Sequence, residues 1–420
     1  MKKLNFLLLS ALVFALTFFS CNKHDDDKTE PEKTQVENNN SGNTEVTPEK
    51  VTVAFNISGG TGAVESQTVE KGTKITLPSG EGITKEGYKF LGWNLKENGE
   101  IISEYTVTEK EVTLFAVWVQ TFTVEFDTDK GTGEFAAQTI EKGKTATEPE
   151  TKPSKGGFKF LGWYDGDTEF DFSSPITTEI TLKAKYEYAK FSVAEGKQVA
   201  FSGGNLQYHC KNGTWRFAPN QYDLIGDANQ NISADYDGYI DLFGWGTWLD
   251  GGNPINNSEI NSDYTWNNTK KSAIDKEGEE WVTLTKDEWV YLEDHSVIGV
   301  AAVDGKQGLV ILPDDWTLPN GVTFNSGFAD NYGADYYQEK NNYTTNQWES
   351  MEANGAVFLP AAGRRYGSDV VGVGGCGRYW SATAGGSENA CYLYFSSDIA
   401  DWGNDNRYFG NSVRLVRVLQ

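Results

Sequence analysis

One unit occurs twice in succession in this chain and limits how its N-terminal half can fold. Five sequence blocks recur in the same order, about 70 residues apart. β-Branched or aromatic residues alternate with polar ones, and glycine-rich breaks separate the blocks. Period-2 alternation bounded by glycine predicts short strands, so each unit should form a small sheet. The matching blocks are 51–55 and 122–126, 59–62 and 130–133, 67–72 and 138–143, 87–93 and 157–163, and 114–118 and 182–186.

The longest shared block reads Gly, aromatic, Lys, Phe, Leu, Gly, Trp in both units. Alternation places Phe90 and Leu91 on opposite faces, and Gly92 supplies a bend or a close backbone approach beside Trp93. The corresponding residues of the second unit are Phe160, Leu161, Gly162 and Trp163. Through these blocks the units resemble the Listeria-Bacteroides repeat, also called the internalin B repeat. The resemblance implies two small β-grasp-like, β-rich modules that act as spacers of surface proteins, repeat 1 over 51–119 and repeat 2 over 120–188.

The N-terminal segment predicts export from the cytoplasm. Two lysines precede an apolar run over 6–19, which is shorter than the roughly 20 residues that a membrane-spanning helix needs. Small Ser20 comes directly before Cys21. This pattern resembles a bacterial lipoprotein signal, which implies removal of residues 1–20 and anchoring of the protein in outer-membrane lipid through acylated Cys21. An ordinary secretory signal followed by an incidental cysteine is the alternative.

Acidic residues follow this cysteine closely. Asp25, Asp26 and Asp27 resemble the export signal that sends lipoproteins of Bacteroides-like bacteria to the outer face of the outer membrane. A merely solvated charge run is the alternative. Residues 21–50 are rich in carboxylates and poor in aliphatic side chains, which predicts a disordered acidic tether. We therefore expect a lipid-anchored protein of the outer membrane that faces the cell exterior.

Composition and charge argue against several function classes. A chain of 420 residues suggests several domains, and a net charge of -24 without a clustered basic face argues against a nucleic-acid partner. With three histidines, neither a histidine metal site nor a Ser-His-Asp triad finds support. Cys210, Cys376 and Cys391 permit at most one internal disulfide after the lipidated cysteine, and their spacing does not select the pair.

Residues 189–420, called the head below, differ in texture from the repeats and predict a loop-rich α+β domain. Thr285 followed by Glu288 forms a capping box, which predicts a helix with Trp289 and Leu292 on one face. Short apolar runs predict strands at 309–313, 356–360, 378–383, 390–395 and 412–417.

Seven blocks of the head carry a family resemblance. They are 199–208, 241–246, 284–289, 312–316, 358–365, 379–383 and 410–417. Together they resemble the major paralogous domain of Fibrobacter and Bacteroides surface proteins, whose ending is similar to the C-type-lectin-like and formylglycine-generating-enzyme-like superfold. The resemblance implies an α+β C-type-lectin-like head. It leaves the biochemical role open, because one fold hosts many functions.

Catalytic and calcium motifs of the related families are not matched. Formylglycine-generating enzymes hold copper with two closely spaced cysteines, whereas Cys376 and Cys391 lie 15 residues apart. Sugar-binding C-type lectins use a Trp-Asn-Asp motif, which a glycine interrupts here at 402–405. Oxygen donors at 227–238 could also hold calcium, although a plain turn explains them better. We expect no catalytic residue, no metal site and no cofactor, with a role for calcium left open.

A tryptophan among acidic and amide residues marks the candidate ligand site. The stretch 396–406 predicts an exposed loop, in which Asp401, Trp402, Asn404 and Asp405 combine apolar area with hydrogen-bonding groups. A core position for Trp402 is the alternative. The sequence thus predicts a non-catalytic surface protein for binding or adhesion, with a glycan or host-surface protein as ligand. A structural or assembly component of the envelope is the second interpretation, and a formylglycine-generating-type enzyme is the third.

Overall fold

A computed structural model describes residues 47–97, 99–249, 252–255, 274 and 280–419. Cys21 and the export residues Asp25, Asp26 and Asp27 lie outside the described residues, as do the expected signal peptide and all but the end of the tether. Within the described ranges, no helix is long and apolar enough to cross a membrane.

The repeats form one continuous β-sheet. Its eight strands run in the order β2-β1-β6-β10-β8-β9, with β4 and β7 also paired to β6, and β3 and β5 form a separate pair. The strands are β1 (Lys50–Asn56), β2 (Gln67–Glu70), β3 (Lys74–Ile75), β4 (Tyr88–Asn94), β5 (Tyr105–Thr106), β6 (Glu111–Asp127), β7 (Gln138–Glu141), β8 (Phe158–Asp165), β9 (Thr168–Glu169) and β10 (Ile180–Tyr188).

Strand β6 joins the two repeats. Its first half pairs in parallel with β1 in repeat 1, and its second half pairs in parallel with β10 in repeat 2. Antiparallel strands flank each parallel pair, β2 and β4 in repeat 1 and β7 and β8 in repeat 2. At about 3.3 Å per residue the 17 residues of β6 span about 55 Å. The repeats therefore meet inside one strand rather than at a flexible linker.

The shared aromatic block adopts the geometry that its pattern predicts. Phe160 is buried in the core of repeat 2, whereas Leu161 is 43% exposed on the opposite face. The register between β8 and β10 shifts at Gly162, and the equivalent shift in repeat 1 occurs at Gly92. These bulges turn Trp163 and Trp93 into the two cores, where both are buried.

Alanine at Gly162 is expected to destabilise repeat 2 by about 1–3 kcal/mol, because the φ angle of +153° is sterically unfavourable for a side-chain-bearing residue. The new methyl group would meet the flexible end of Glu169 at 3.1 Å, so backbone strain dominates the cost. Leu161→Ala is the matched control, since exposed positions usually change stability by about 0.5 kcal/mol or less. Urea denaturation compares the two variants, and equal stability would contradict this account of the bulge.

The head is assembled from five small sheets and three short α-helices within the described residues. Its helices are α1 (Lys286–His295), α2 (Ala334–Lys340) and α3 (Thr345–Ala353), with a 3-10 turn at Gly226–Gln230. Its strands are β11 (Phe191–Ala194), β12 (Lys197–Phe201), β13 (Leu206–His209), β14 (Thr214–Phe217), β15 (Tyr239–Ile240), β16 (Ile298–Val303), β17 (Lys306–Ile311), β18 (Asn342–Tyr343), β19 (Val357–Pro360), β20 (Arg364–Tyr366), β21 (Asp369–Val371), β22 (Cys376–Ala384), β23 (Asn389–Ser396), β24 (Ala400–Asn406) and β25 (Val416–Leu419).

Local sequence signals predict several of these elements. The capping box at Thr285 is present, and α1 buries Trp289 and Leu292 as expected. Strands β17, β19, β22 and β23 cover most of four predicted runs. The fifth prediction, a strand over 412–417, is wrong for its first four residues, because β25 begins at Val416. The backbone of residues 412–415 forms hydrogen bonds with several separate elements. For example, the Ser412 N–H donates to the carbonyl of Arg378 at 2.8 Å.

Repeat 2 is fixed to the head through a buried polar cluster, here called the joint: Ser154, Gln221, Glu352 and Arg414. The Ser154 hydroxyl donates to Glu352 Oε2 at 2.7 Å, and Gln221 Nε2 donates to Glu352 Oε1 at 2.8 Å. Arg414 donates in turn to Gln221 Oε1. Ala353, at the end of α3, belongs to the hydrophobic core of repeat 2. The head is therefore held in one orientation on the sheet of the repeats.

Candidate functional site

The predicted ligand loop is largely a strand. Residues Ala400–Asn406 form β24, which pairs antiparallel with β23 along its whole length, so the expectation of an exposed loop over 396–406 is wrong. Asp, Asn and Gly are poor strand formers, so the intrinsic strand propensity of this segment is low. Hydrogen bonds to β23 stabilise the strand instead. Alternation along β24 divides the four candidate residues between the two faces of the sheet.

Trp402 and Asn404 lie on one face of the sheet, where Trp402 is partly buried and Asn404 is exposed. Trp402 packs against the main hydrophobic core of the head, and its Nε1 donates to Glu293 Oε2 at 3.2 Å. Burial raises the pKa of Glu293, although the bond from Trp402 opposes this. The Asn404 Oδ1 atom accepts from the Cys391 thiol at 3.0 Å. Both side chains therefore make contacts within the head.

Asp401 and Asp405 lie on the other face of the sheet. Asp401 is exposed, and its Oδ1 accepts from the N–H of the neighbouring residue Trp402 at 2.7 Å. Asp405 is 11% exposed and accepts from Arg378 at 3.1 Å. Arg378 also donates to the Tyr392 hydroxyl at 2.7 Å. Burial lowers the pKa of Arg378, but Tyr392 and Asp405 raise it by more, so its pKa is raised overall.

A surface of arginine and aromatic side chains extends from Asp405. Arg364, on β20, lies 3.6 Å from Asp405 and places its guanidinium carbon 5.2 Å from the centre of the Phe409 ring. Tyr366, two residues further on the same face of β20, is 51% exposed and meets Phe409 edge to face at 4.9 Å. Tyr408 lies beside both rings. We call this surface the arginine–aromatic patch: Arg364, Tyr366, Arg378, Asp405, Tyr408 and Phe409.

Of the patch residues, the sequence prediction contained Asp405 alone. A sequence signal for the other charged patch residues is the use of arginine rather than lysine. Lys340 is the last lysine of the chain, whereas six of its seven arginines fall between 364 and 417. Arginine suits planar, stacked and partly buried contacts better than lysine does. The arginines of this segment therefore mark internal bonding and a candidate binding surface.

The second calcium candidate, 227–238, begins with the 3-10 turn rather than a metal loop. Asn229 is buried, and its side chain donates to Asp241 Oδ1 at 2.7 Å and accepts the N–H groups of Asp241 and Leu242. These donors and acceptors are thus used inside the head. Within the described ranges, no group of three or more His, Cys, Asp or Glu side chains lies close enough to hold a metal ion.

Asp241 predicts a pH effect on stability. Burial raises its pKa to about 6, above the value of about 3.9 in an unfolded chain. The folded protein therefore holds the proton more tightly, so the contribution of Asp241 to stability is greatest below pH 4 and is lost as the pH rises to about 6. Each pKa unit corresponds to about 1.4 kcal/mol, and the carboxyl group is already about half ionised in the unfolded chain at pH 4. The stability advantage of wild type over Asp241→Asn should therefore shrink by about 2 kcal/mol between pH 4 and pH 7.

Urea denaturation across that pH range measures this advantage. The exposed Asp235→Asn variant is the control for the effect of an Asp-to-Asn substitution at the surface. An advantage for Asp241 that grows with pH would contradict the assigned direction.

The three cysteines of the head are buried free thiols, and no disulfide joins them. Burial raises the pKa of Cys210, Cys376 and Cys391. A raised pKa keeps these groups protonated and makes them poor nucleophiles. We therefore assign them to packing.

A cleft of about 220 Å³ beside α1 is the other concave surface of interest in the head. It is lined mainly by apolar groups, including Trp281 and Val282. Its charged groups, Lys197 and Glu288, pair with each other, and Glu288 also completes the cap of α1. The charged groups of the cleft are thus already paired with each other. In the arginine–aromatic patch, by contrast, Arg364 has donors available for a ligand.

Comparison with known proteins identifies the N-terminal units. The model of the Listeria-Bacteroides repeat domain matches residues 52–117 and 122–185. The chain contains two Listeria-Bacteroides repeats. A protein described as a Gly-rich membrane protein of Evansella cellulosilytica is 30% identical over 139 residues, which are 31% of this chain and 16% of that protein. Internalin H of Listeria monocytogenes is 31% identical over 131 residues, which are 28% of this chain and 23% of internalin H.

These matches thus span less than a quarter of either relative, and neither relative bears the name of an enzyme. Among solved structures, the chain is similar to Streptococcal High Identity Repeats in Tandem domains 3-4 from a cell surface protein. That likeness has 17% identity and a TM-score of 0.12, and covers 33% of this chain and 99% of the other. A surface protein built on repeats fits the sequence matches.

Proposed function

We propose that this chain is a non-catalytic binding or adhesion protein of the cell surface, whose head binds a glycan or protein ligand at the arginine–aromatic patch. The observation that carries the proposal is the patch itself. It combines the exposed ring of Tyr366 with the partly exposed guanidinium of Arg364. Aromatic area next to charged donors is typical of binding surfaces. The joint supports the same function, because it holds this patch in a fixed orientation on the repeats.

The anchor proposed for this protein is acylated Cys21 in outer-membrane lipid, with Asp25, Asp26 and Asp27 directing it to the cell exterior. The lipoprotein-like signal supports this part of the proposal. Mass spectrometry of the N-terminal peptide and protease treatment of intact cells test it. We expect an acylated cysteine and loss of the head on protease treatment. A chain that resists external protease would contradict display on the outside.

The finer fold assignments belong to the same proposal. Each repeat has a parallel central pair flanked by antiparallel strands, which supports a β-grasp-like module. The seven blocks of the head support a C-type-lectin-like major paralogous domain. A role for calcium is tested by the chelator in the array experiment below, and no catalytic step is assigned to the head.

An assembly role in the envelope is the second candidate function. Three apolar side chains of repeat 1, Leu91, Leu95 and Ile101, are more than a third exposed, which favours contact with another protein surface. Light scattering of the purified chain separates the two functions. A monomer supports a binding head on a stalk, whereas a concentration-dependent oligomer supports assembly.

An array of glycans and host-surface proteins, probed with the full-length chain, tests the proposed function. Each array is read with calcium and again with a chelator. Saturable binding to one class of ligand supports the proposal, and its loss with the chelator would add a calcium site. Failure to bind any ligand would overturn the binding function.

A further inference from the structure

Arg364 differs from the other arginines of its segment. Arg365, Arg378, Arg407, Arg414 and Arg417 each donate a hydrogen bond inside the protein. Within the described residues, the Arg364 side chain donates no hydrogen bond: it contacts the Phe409 ring and makes a 3.6 Å ion pair with Asp405, which is longer than a hydrogen bond. Asp405 is already bonded by Arg378 at 3.1 Å. The guanidinium of Arg364 therefore keeps donors for a ligand.

The local charge suits an anion. Arg364 and Arg378 share one carboxylate, Asp405, so these three groups together carry one positive charge. The chain as a whole carries a net charge of -24, which makes a cationic site unusual on its surface. The planar fork of an arginine matches a carboxylate with two parallel hydrogen bonds. A carboxylate group is thus the chemistry that Arg364 fits best.

The neighbouring side chains suit a sugar ring. Tyr366 is held by its edge-to-face contact with Phe409, and half of its surface faces solvent. Because this contact already restricts the side chain, Tyr366 loses little conformational entropy when a ligand binds. Aromatic faces offer flat apolar area to the C–H face of a pyranose. Asp369 pairs with Tyr366 across the β20–β21 hairpin, so the patch has a positive end at Arg364 and a carboxylate at its Tyr366 end, which is an acceptor for sugar hydroxyls.

We propose that the arginine–aromatic patch binds a carboxylate-bearing sugar, with Arg364 pairing with the carboxylate and Tyr366 stacking on the ring. This inference rests on the proposed function and names its ligand class. Two biological sources share this chemistry, a sialic acid at the end of a glycan and a uronic acid within a polysaccharide.

Calorimetric titration of the full-length chain tests the proposal. The probes are sialyllactose and an oligogalacturonate, beside their neutral counterparts, lactose and the methyl-esterified oligogalacturonate. We expect binding of at least one acidic probe, no binding of its neutral counterpart, and affinity at least about tenfold weaker in Arg364→Gln, because this variant loses the charge-assisted hydrogen bonds to the carboxylate. Arg216→Gln is the matched control, since Arg216 also stacks on a tyrosine, at 3.5 Å from Tyr239, but is bonded to Gln207.

The outcomes separate this inference from the proposed function. Which acidic probe binds identifies the source of the carboxylate. Binding of neutral probes alone would overturn the carboxylate inference and leave the binding function standing. Equal loss in Arg216→Gln, or no loss in Arg364→Gln, would overturn the assignment to the patch. Silence on all four probes would overturn the inference, while a ligand found on the protein array would still support the binding function.

Discussion

Replacing Glu352 with alanine is expected to lower the free energy of unfolding by about 3–5 kcal/mol. The carboxylate is buried between repeat 2 and the head, where it accepts from Ser154 and Gln221. It also faces the fully buried cation Arg414, whose pKa is lowered to about 10 by burial. Removing Glu352 leaves this cation without a nearby carboxylate, and it takes one acceptor from Ser154 and one from Gln221, whose Nε2 keeps only the Ala356 carbonyl. Such losses are costly inside a protein.

Denaturation in urea, followed by tryptophan fluorescence, measures this loss. Glu349→Ala is the matched control: it lies about one turn earlier on α3, is partly exposed and accepts no hydrogen bond from the described residues. Its effect should stay near 0.5 kcal/mol. Glu352→Gln keeps the shape of the side chain and should fall between the two. Equal stabilities of the Glu352→Ala and Glu349→Ala variants would contradict the role of the joint.

Removal of both repeats is expected to destabilise the head by about 5 kcal/mol or more. A chain that begins at Ala189 loses Ser154 from the joint, the 2.5 Å ion pair between Lys159 and Asp315, and the core that covers Ala353. It also exposes apolar area that repeat 2 covers, at about 25 cal/mol per Å². In a domain of this size, such a loss lowers Tm by about 10–20 °C.

Calorimetry of two truncations tests this dependence. A chain that begins at Gln120 keeps repeat 2 and its contacts with the head, so the head should melt within about 3 °C of the full-length protein. A chain that begins at Ala189 should melt far lower. If the two truncated chains melt at the same temperature, the head is independent of repeat 2 and the joint does not hold it.

Elements specified by local sequence could be predicted, and contacts between distant segments could not. The duplication defines two units, and the position of Gly92 and Gly162 in the shared block predicts the bends at the two β-bulges. The capping box defines α1 because both of its residues lie within one turn. The joint, by contrast, brings together residues as far apart as Ser154 and Arg414, for which no short motif exists.

The candidate site shows the same division. Asp405 is a ligand residue that the sequence predicts, but its partners Arg364 and Arg378 come from β20 and β22, strands of two different sheets, so only the tertiary fold brings them together. Strand β24 escaped prediction because its composition favours turns and β23 supplies its hydrogen bonds. After Lys340 the chain contains arginine but no lysine, and this bias is a sequence signal for the arginines. The bias does not predict how the arginines are arranged in space.

The most direct test of a ligand-binding head on a rigid stalk is an array experiment with three full-length proteins. They are the wild-type chain, the patch variant Arg364→Gln/Tyr366→Ala, and the repeat variant Leu91→Ser/Ile101→Ser, which changes exposed side chains of repeat 1. We predict that the patch variant loses the signal and the repeat variant retains it. Binding that survives in the patch variant but disappears in the repeat variant would contradict the account and assign the ligand to the repeats.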